Sequence, residues 1–272
     1  MTDSQMNWAA PAVFFDLPPT HPLKGPLGEL ELVWQILDSL AGWIQARLRP
    51  NVALPRQKGG LIEVPTALVA GEAIFGVSYN LQGPGGTFEV WAGTEPLPGA
   101  TLLLPGAFLA DDQVELGPGV LVESGAMIKG PTIIEAGAQV RQGAYIRGQV
   151  WAGAGSVLGH ATEAKSSLLL PGAKAGHFAY LGDSVLGREV NLGAGTKLAN
   201  LKFSGSPISL RVGSTVIALN RRKMGAILGD LCQTGCNAVT NPGTILGPGS
   251  WVAANQAVPA GYYPPRSRLG LA

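Results

Sequence analysis

"LGPGVLVESGAMIKGPTIIEAGAQV", residues 116–140, carries an aliphatic side chain at every sixth position: Leu116, Val122, Ile128, Ile134 and Val140. Four residues after each rung the side chain is small or β-branched, as at Val120, Ala126, Thr132 and Ala138. A period of six fits neither the 3.6 of a helix nor the 2 of an alternating strand. Followed outward, the rhythm takes in Leu104 and Ala110 on one side and Ile146, Ala152, Leu158, Ala164 and Leu170 on the other. It resumes at Leu228 and runs through Thr234, Thr240, Leu246, Val252 and Val258. The pattern predicts an all-β fold, a parallel β-helix in which three hexads make one triangular coil and coils stack at about 4.8 Å. Rung side chains point inward, and glycines turn the corners where a positive φ or a close backbone is needed.

The composition agrees. Gly and Pro supply 60 of 272 residues, which would read as disorder but for the 46% of hydrophobic residues. A net charge of +1 gives no global pull toward nucleic acid or an anionic membrane, so any basic site must be local. The start, "MTDSQMNWAA", lacks a basic region followed by an apolar run, and about 18 unbroken apolar residues occur nowhere. The expectation is a soluble, cytoplasmic protein with neither nucleic-acid nor membrane partners. Cys232 and Cys236, with three residues between them, lack the second pair or the histidines of a zinc site, so no metal is expected.

The chain divides into an N-terminal extension over 1–100, a β-helix over 101–260 and a tail over 261–272. Within the extension, "GELELVWQILDSLAGWIQARL", residues 28–48, has apolar groups at helical spacing and ends before Pro50. This amphipathic helix is expected near the beginning of the prism, where strand edges need a cap. Ragged strands follow over 61–100. A β-hairpin arm is expected to leave the prism at about 201–227, where the rungs lapse and the sequence alternates.

After Leu170 the rungs fall at Ala175, Leu181, Leu186, Leu192 and Leu198, with two steps of five, so coils here have 17 residues. Arithmetic then stacks His160, His177 and Ala194 in one column, Arg147, Lys165 and Gly182 in a second, and Tyr145, Glu163 and Tyr180 in a third. The second puts two cations one strand apart with open space over the glycine. Like charges so placed cost about 0.2–1 kcal/mol unless an anion lies between them. A phosphate would supply that anion; alternatively both side chains splay into solvent. A histidine on such a surface is either structural or a proton acceptor, and His160 beneath it either tunes it or fills the corner.

The stretch "GAKAGHFAYLGDSVLGREVNLGAGTKLAN", residues 172–200, resembles the acetyltransferase half of the bifunctional glucosamine-1-phosphate acetyltransferase / N-acetylglucosamine-1-phosphate uridyltransferases. The likeness lies in H-x-x-Y-x-G-D followed by V-N-x-G-A-G-T, with Arg147 and Lys165 thirty and twelve residues before the histidine. The chain also resembles related hexapeptide proteins of the sugar-phosphate nucleotidyltransferase group. These resemblances imply a left-handed coil, a homotrimer with sites between prisms, and acetyl-CoA as co-substrate. They imply His177 as general base, the imidazole accepting the proton of the attacking amine. Arg147 and Lys165 would hold the sugar phosphate, with Glu163, Tyr180, Asn191 and Asn200 around the sugar. Ala194, Cys236 and Ala254 would flank the pantetheine arm, and amides of the "GAG" turn would face the oxyanion.

The sequence departs from that pattern at Leu201, where the family has an aromatic; at Cys236, where it has a serine; and in having no aligned counterpart of the lysine that the family carries shortly after that aromatic. These departures bear on the acceptor more than on the reaction. Residues 1–100 hold no glycine-rich phosphate loop of the uridyltransferase kind. The expected function is acyl transfer to the amine of an amino-sugar phosphate or nucleotide-linked amino sugar. The alternatives are a non-catalytic sugar-phosphate or nucleotide-sugar binding protein and a scaffold. Arg221, Arg222 and Lys223 are open between coenzyme A phosphates and solvent, and Arg266 and Arg268 likewise.

Overall fold

The computed structural model describes residues 7–56, 59–82, 87–212 and 214–271. Parts of the expected N-terminal extension, including the first six residues on which the leader reading rests, lie outside the described residues, as do residue 213 of the arm and 272 of the tail.

The core is a three-faced prism of stacked strands, each two to four residues long, paired in parallel with the coil before and after. It is a parallel β-solenoid whose period and three faces fit a left-handed β-helix. The first face has 11 strands and the other two have eight each. Leu116, Val122, Ile128, Ile134, Val140, Ile146, Ala152, Leu158 and Ala164 all point into one buried cluster, as do the intermediate small residues Val120, Ala126, Ala138 and Ala144. Each Val, Leu or Ile among them contributes about 1.5–3 kcal/mol on leaving water, which is how strands this short hold together.

Two stretches of the ladder differ from the expected register. Leu103 and Leu109, not Leu104 and Ala110, are the first inward rungs, and "DDQ" at 111–113 accounts for the longer step to Leu116. Further on, Leu169 rather than Leu170 points inward, so the first short step runs from Ala164 to Leu169. The residue is lost at the corner between the second and third faces. That corner is Gly148–Gln149 in one coil but only Ser166 in the next and Asp183 in the one after, each residue at positive φ. Seventeen-residue coils follow, as the pairs His160 with His177 and Glu163 with Tyr180 record.

The helix spans Ile36–Arg47 and not 28–48. Leu32 is extended, its amide taken by the Gln35 side chain at 2.8 Å, and a 3₁₀ turn Val33–Gln35 leads in. Nor does the helix lie at the beginning of the prism. Ile36, Leu40 and Ile44 pack on the flank, against an outward row on the third face made by Ile133, Trp151, Leu168, Val185, Ile227 and Ile245. A row of apolar side chains on the outer surface of a sheet demands a cover, and the helix supplies it.

The open end is closed instead by residues 51–56 and 59–69. Val52, Ile62 and Leu68 enter the prism core, and the Arg56 side chain donates to the Leu109 carbonyl at 2.8 Å while pairing with Asp112. Strands Thr66–Val69 and Glu72–Phe75 then extend the first face antiparallel. The arm forms a hairpin, Ser209–Val212 with Thr215–Ala218, but folds back: Ile208 and Leu210 are buried in the flank cluster.

Candidate functional site

His177 ends the strand Lys174–His177 on the first face, directly above His160 at the end of Val157–His160. The two strands approach so closely that a Cβ on Gly159 would collide with the Gly176 carbonyl, so glycine is required there. The His160 Nδ1 lies 2.9 Å from the Gln142 carbonyl, and its ring meets Phe178 edge-on at 5.1 Å. The corner is thus filled by His160. His177 is exposed, and its ring makes no hydrogen bond among the described residues. Phe178 follows at φ 53°, turning the chain onto the second face with its own ring 56% exposed.

Beyond that corner lies a polar network. Glu163 sits between Tyr145 and Tyr180, and its Oε1 accepts from Arg147 at 2.7 Å. Lys165 lies beside Gly182, with its Nζ 3.1 Å from an Asp183 carboxylate oxygen. The same oxygen accepts from the Asn200 amide, and the Tyr180 hydroxyl donates to Asn200 Oδ1 at 3.3 Å. Burial, and then the carboxylates of Glu163 and Asp183, push the Tyr180 phenol up, so it stays a donor. The bond to Glu163 raises the Arg147 guanidinium further. The space over Gly182 is not open: a Cβ there would fall 2.6 Å from the Asn200 amide nitrogen and 2.7 Å from the Tyr180 hydroxyl. Each cation therefore has a carboxylate of its own within the chain, and the four charges cancel.

Ala194, Cys236 and Ala254 stack in the corner column that continues from His177. Gly195 donates to the His177 carbonyl at 2.9 Å, Asn237 to Ala194 at 2.8 Å, and Asn255 to Cys236 at 2.8 Å. None of the three carries a side chain larger than a thiol, which leaves the column open on its outside. In the "GAG" turn the Gly193 and Gly195 amides are already committed, to Thr234 and His177, and Ala194 N–H is the one that donates to nothing among the described residues. Asn191 stands apart, exposed on the first face between Lys174 and Gln233. One chain thus divides the expected residues between two faces that meet at the edge marked by His177 and Phe178.

The sequence reading passed over Asp183, which ties Lys165 to Asn200, although it stands in the quoted "LGD". Arg221, left open between two roles, donates to the Trp34 carbonyl at 3.2 Å and pairs with Asp38 at 3.4 Å, so it pins the helix. Arg268 donates to three carbonyls of the terminal turn and lies 4.4 Å over the Trp251 ring. A cavity of about 580 Å³ between Phe88–Trp91 and the glycine corner at Gly119 and Gly137 holds none of the expected site residues. Among the described residues no helix is long and apolar enough to cross a membrane.

The fold is a hexapeptide-repeat parallel β-solenoid, and over it the chain is similar to bifunctional proteins with an acetyltransferase half. It is 37% identical over 144 residues to a bifunctional sugar-1-phosphate nucleotidylyltransferase/acetyltransferase of Sulfurisphaera tokodaii, covering 46% of this chain and 36% of that protein. It is 34% identical over 152 residues to the bifunctional protein GlmU of Methanocaldococcus jannaschii, covering 49% and 37%. Against GlmU of a Nostoc species the figures are 28% over 193 residues, 59% and 39%. The chain spans little more than a third of the length of these relatives. No family profile matches it.

Proposed function

We propose that the protein transfers an acetyl group from acetyl-CoA to the amine of an amino sugar carrying a phosphate or a linked nucleotide. The observation that carries this reading is His177, an exposed imidazole free of hydrogen bonds among the described residues, standing between a column of small residues and a polar network. The thioester end of acetyl-CoA lies along Ala194, Cys236 and Ala254, with its carbonyl oxygen toward the Ala194 N–H. An amine held near Tyr180 and Asn200 attacks that carbon: the C–N bond forms, the C–S bond breaks, and His177 takes the amine proton and returns it to the departing thiolate. One oriented amide is worth about 10²–10³ in rate and one base about 10²–10⁴. Arg147 and Lys165 hold the phosphate, and Asn191 reaches the acceptor from a neighbouring copy, since in one chain it faces away. The acting species is then a homotrimer in which two prisms complete each site.

The test is thiol release from acetyl-CoA with a panel of amino-sugar phosphates and nucleotide-linked amino sugars. We expect turnover with at least one acceptor and a fall of about 10²–10⁴ in kcat for His177→Ala, with the melting temperature unchanged. Turnover that survives the substitution would remove His177 from its role. The Arg147–Glu163 and Lys165–Asp183 pairs leave no unbalanced cation for a phosphate in the isolated chain, so a bound phosphate has to displace a carboxylate or meet a cation of a neighbouring copy. A non-catalytic binding protein would show acceptor binding with no thiol release on any amine.

A further inference from the structure

The near-neutral charge of the chain hides a strong asymmetry. Residues 190–272 contain eight Lys and Arg, at 197, 202, 211, 221, 222, 223, 266 and 268, against a single acid, Asp230. That acid is engaged at the opposite corner, where it accepts the amides of Asp16 at 2.9 Å and Arg188 at 2.7 Å. Where such cations are left without a carboxylate they draw in anions.

Three of the cations gather beside the candidate site. The arm leaves the prism at Asn200, whose carbonyl accepts from Met224 N–H at 3.0 Å, and Leu201 pairs antiparallel with Lys223. The tight turn that follows, closed by Gly205 N–H on the Lys202 carbonyl at 3.0 Å, brings Gly205 against the Arg222 guanidinium. Arg222 and Lys223 are exposed and form no ion pair among the described residues, unlike Arg147, Lys165 and Arg221. Phe203, within that turn, is the most exposed large hydrophobic of the described residues, and its ring touches no other ring. It is three residues from Asn200, at most about 10 Å along the chain. An exposed aromatic face offers a stacking platform to any nucleobase, and paired Arg and Lys suit the charge of a diphosphate.

We propose that the base of the arm, Phe203 with Arg222 and Lys223, binds a nucleoside diphosphate, the cations on the phosphates and the ring against the base. This rests on the acyltransferase reading of the adjoining site and deepens it, because two of that reaction's partners carry such a group: a nucleotide-linked amino sugar as acceptor, or coenzyme A as donor. The acceptor carries the group beside Asn200; the donor would bring it from a neighbouring copy.

The experiment is titration calorimetry on the full chain with UDP, with coenzyme A, with inorganic pyrophosphate and with glucosamine 1-phosphate, for the wild type, the Arg222→Ala/Lys223→Ala double variant and Phe203→Ala. We expect the double variant to weaken either UDP or coenzyme A by tenfold or more, naming acceptor or donor as the source, and to change glucosamine 1-phosphate by less than threefold. Phe203→Ala weakens the same nucleotide and leaves inorganic pyrophosphate unaffected. Nucleotide binding equal in all three proteins, or no binding of UDP and coenzyme A by the wild type, overturns the proposal. Thiol release is read in parallel: its absence with the nucleotide effects intact sinks the acyltransferase reading alone. Turnover with nucleotide affinity indifferent to the substitutions sinks the arm proposal alone.

Discussion

The two thiols, four positions apart, should behave as different chemical species. Cys232 lies inside the prism, its Sγ 3.2 Å from the Gly247 carbonyl, and burial pushes it up to about 12. Cys236 is exposed on the corner column. Iodoacetamide at pH 8 should label one cysteine in the native protein, mapped to Cys236, and two after denaturation; native labelling of Cys232 would mean that the coil opens. His21 gives the pH dependence. Its Nδ1 accepts from the Leu23 amide at 3.1 Å and its buried Nε2 has no partner among the described residues. Burial lowers it from the usual 6.5; Glu135 opposes this and Arg188 reinforces it. A histidine lowered in the fold gives stability that is whole above its unfolded value and is lost as pH falls below it. The melting temperature should therefore drop between pH 7 and pH 5, and drop less in His21→Asn, whose amide oxygen can still accept from Leu23. An identical slope in both proteins would dismiss this residue as the cause. Gly182→Ala tests the network: its φ is not positive, so a methyl is tolerated by the backbone and acts by pushing Asn200 and Tyr180 aside. We expect an acceptor KM raised about tenfold with little change in kcat, and a stability loss of about 1–3 kcal/mol.

At the scale of elements, the rungs were readable because one side chain in six must be aliphatic to fill the prism, and no other fold imposes that interval. The register slip at "SLLL", residues 167–170, was not readable. Leu168 is buried outward under the helix layer, Leu169 inward in the core and Leu170 outward again, so three leucines in a row have two different reasons to be apolar. The same outward row explains why the helix was expected at the prism end and stands on its flank. Its cue, an apolar middle residue in every third-face strand from Ile133 to Tyr262, is visible in the sequence only once the strands are assigned to faces. Of the site, the columns were legible by counting, whereas Asp183 was not, since nothing in the spacing says that a corner residue turns toward Lys165. Leu168→Asp separates the two layers. A carboxylate in that apolar contact costs several kcal/mol if the layer stays closed, so the helix should undock while the prism persists. Limited proteolysis should then cut within residues 7–48 and leave the β-helix intact. Resistance equal to wild type would show that the flank is held by something other than this row.

At the scale of the whole molecule, the helix and the folded-back arm cover the third face, while residues 67–82 and 87–100 cover only the early strands of the first face. The first and second faces join at the edge of His160, His177 and Phe178, and the residues expected to act together lie on both sides of it. Asn191 is on one, Tyr180, Lys165 and Asn200 on the other. On the proposed reading, a site so divided in one chain would become whole where the edge of one prism meets a face of the next, with the exposed Phe178 beside His177 as the natural contact. We therefore expect the protein to sediment as three copies. Phe178→Glu should release single chains, because a carboxylate at the contact is left without a partner. Its φ of 53° suits glutamate no worse than phenylalanine, so the single chain should keep its melting curve apart from any contribution of assembly. Thiol release should fall in proportion to the loss of the three-copy species and return at concentrations that restore it. A wild-type protein that sediments as one chain and still turns over would place the complete site within a single prism, and Asn191 would then have no part in it.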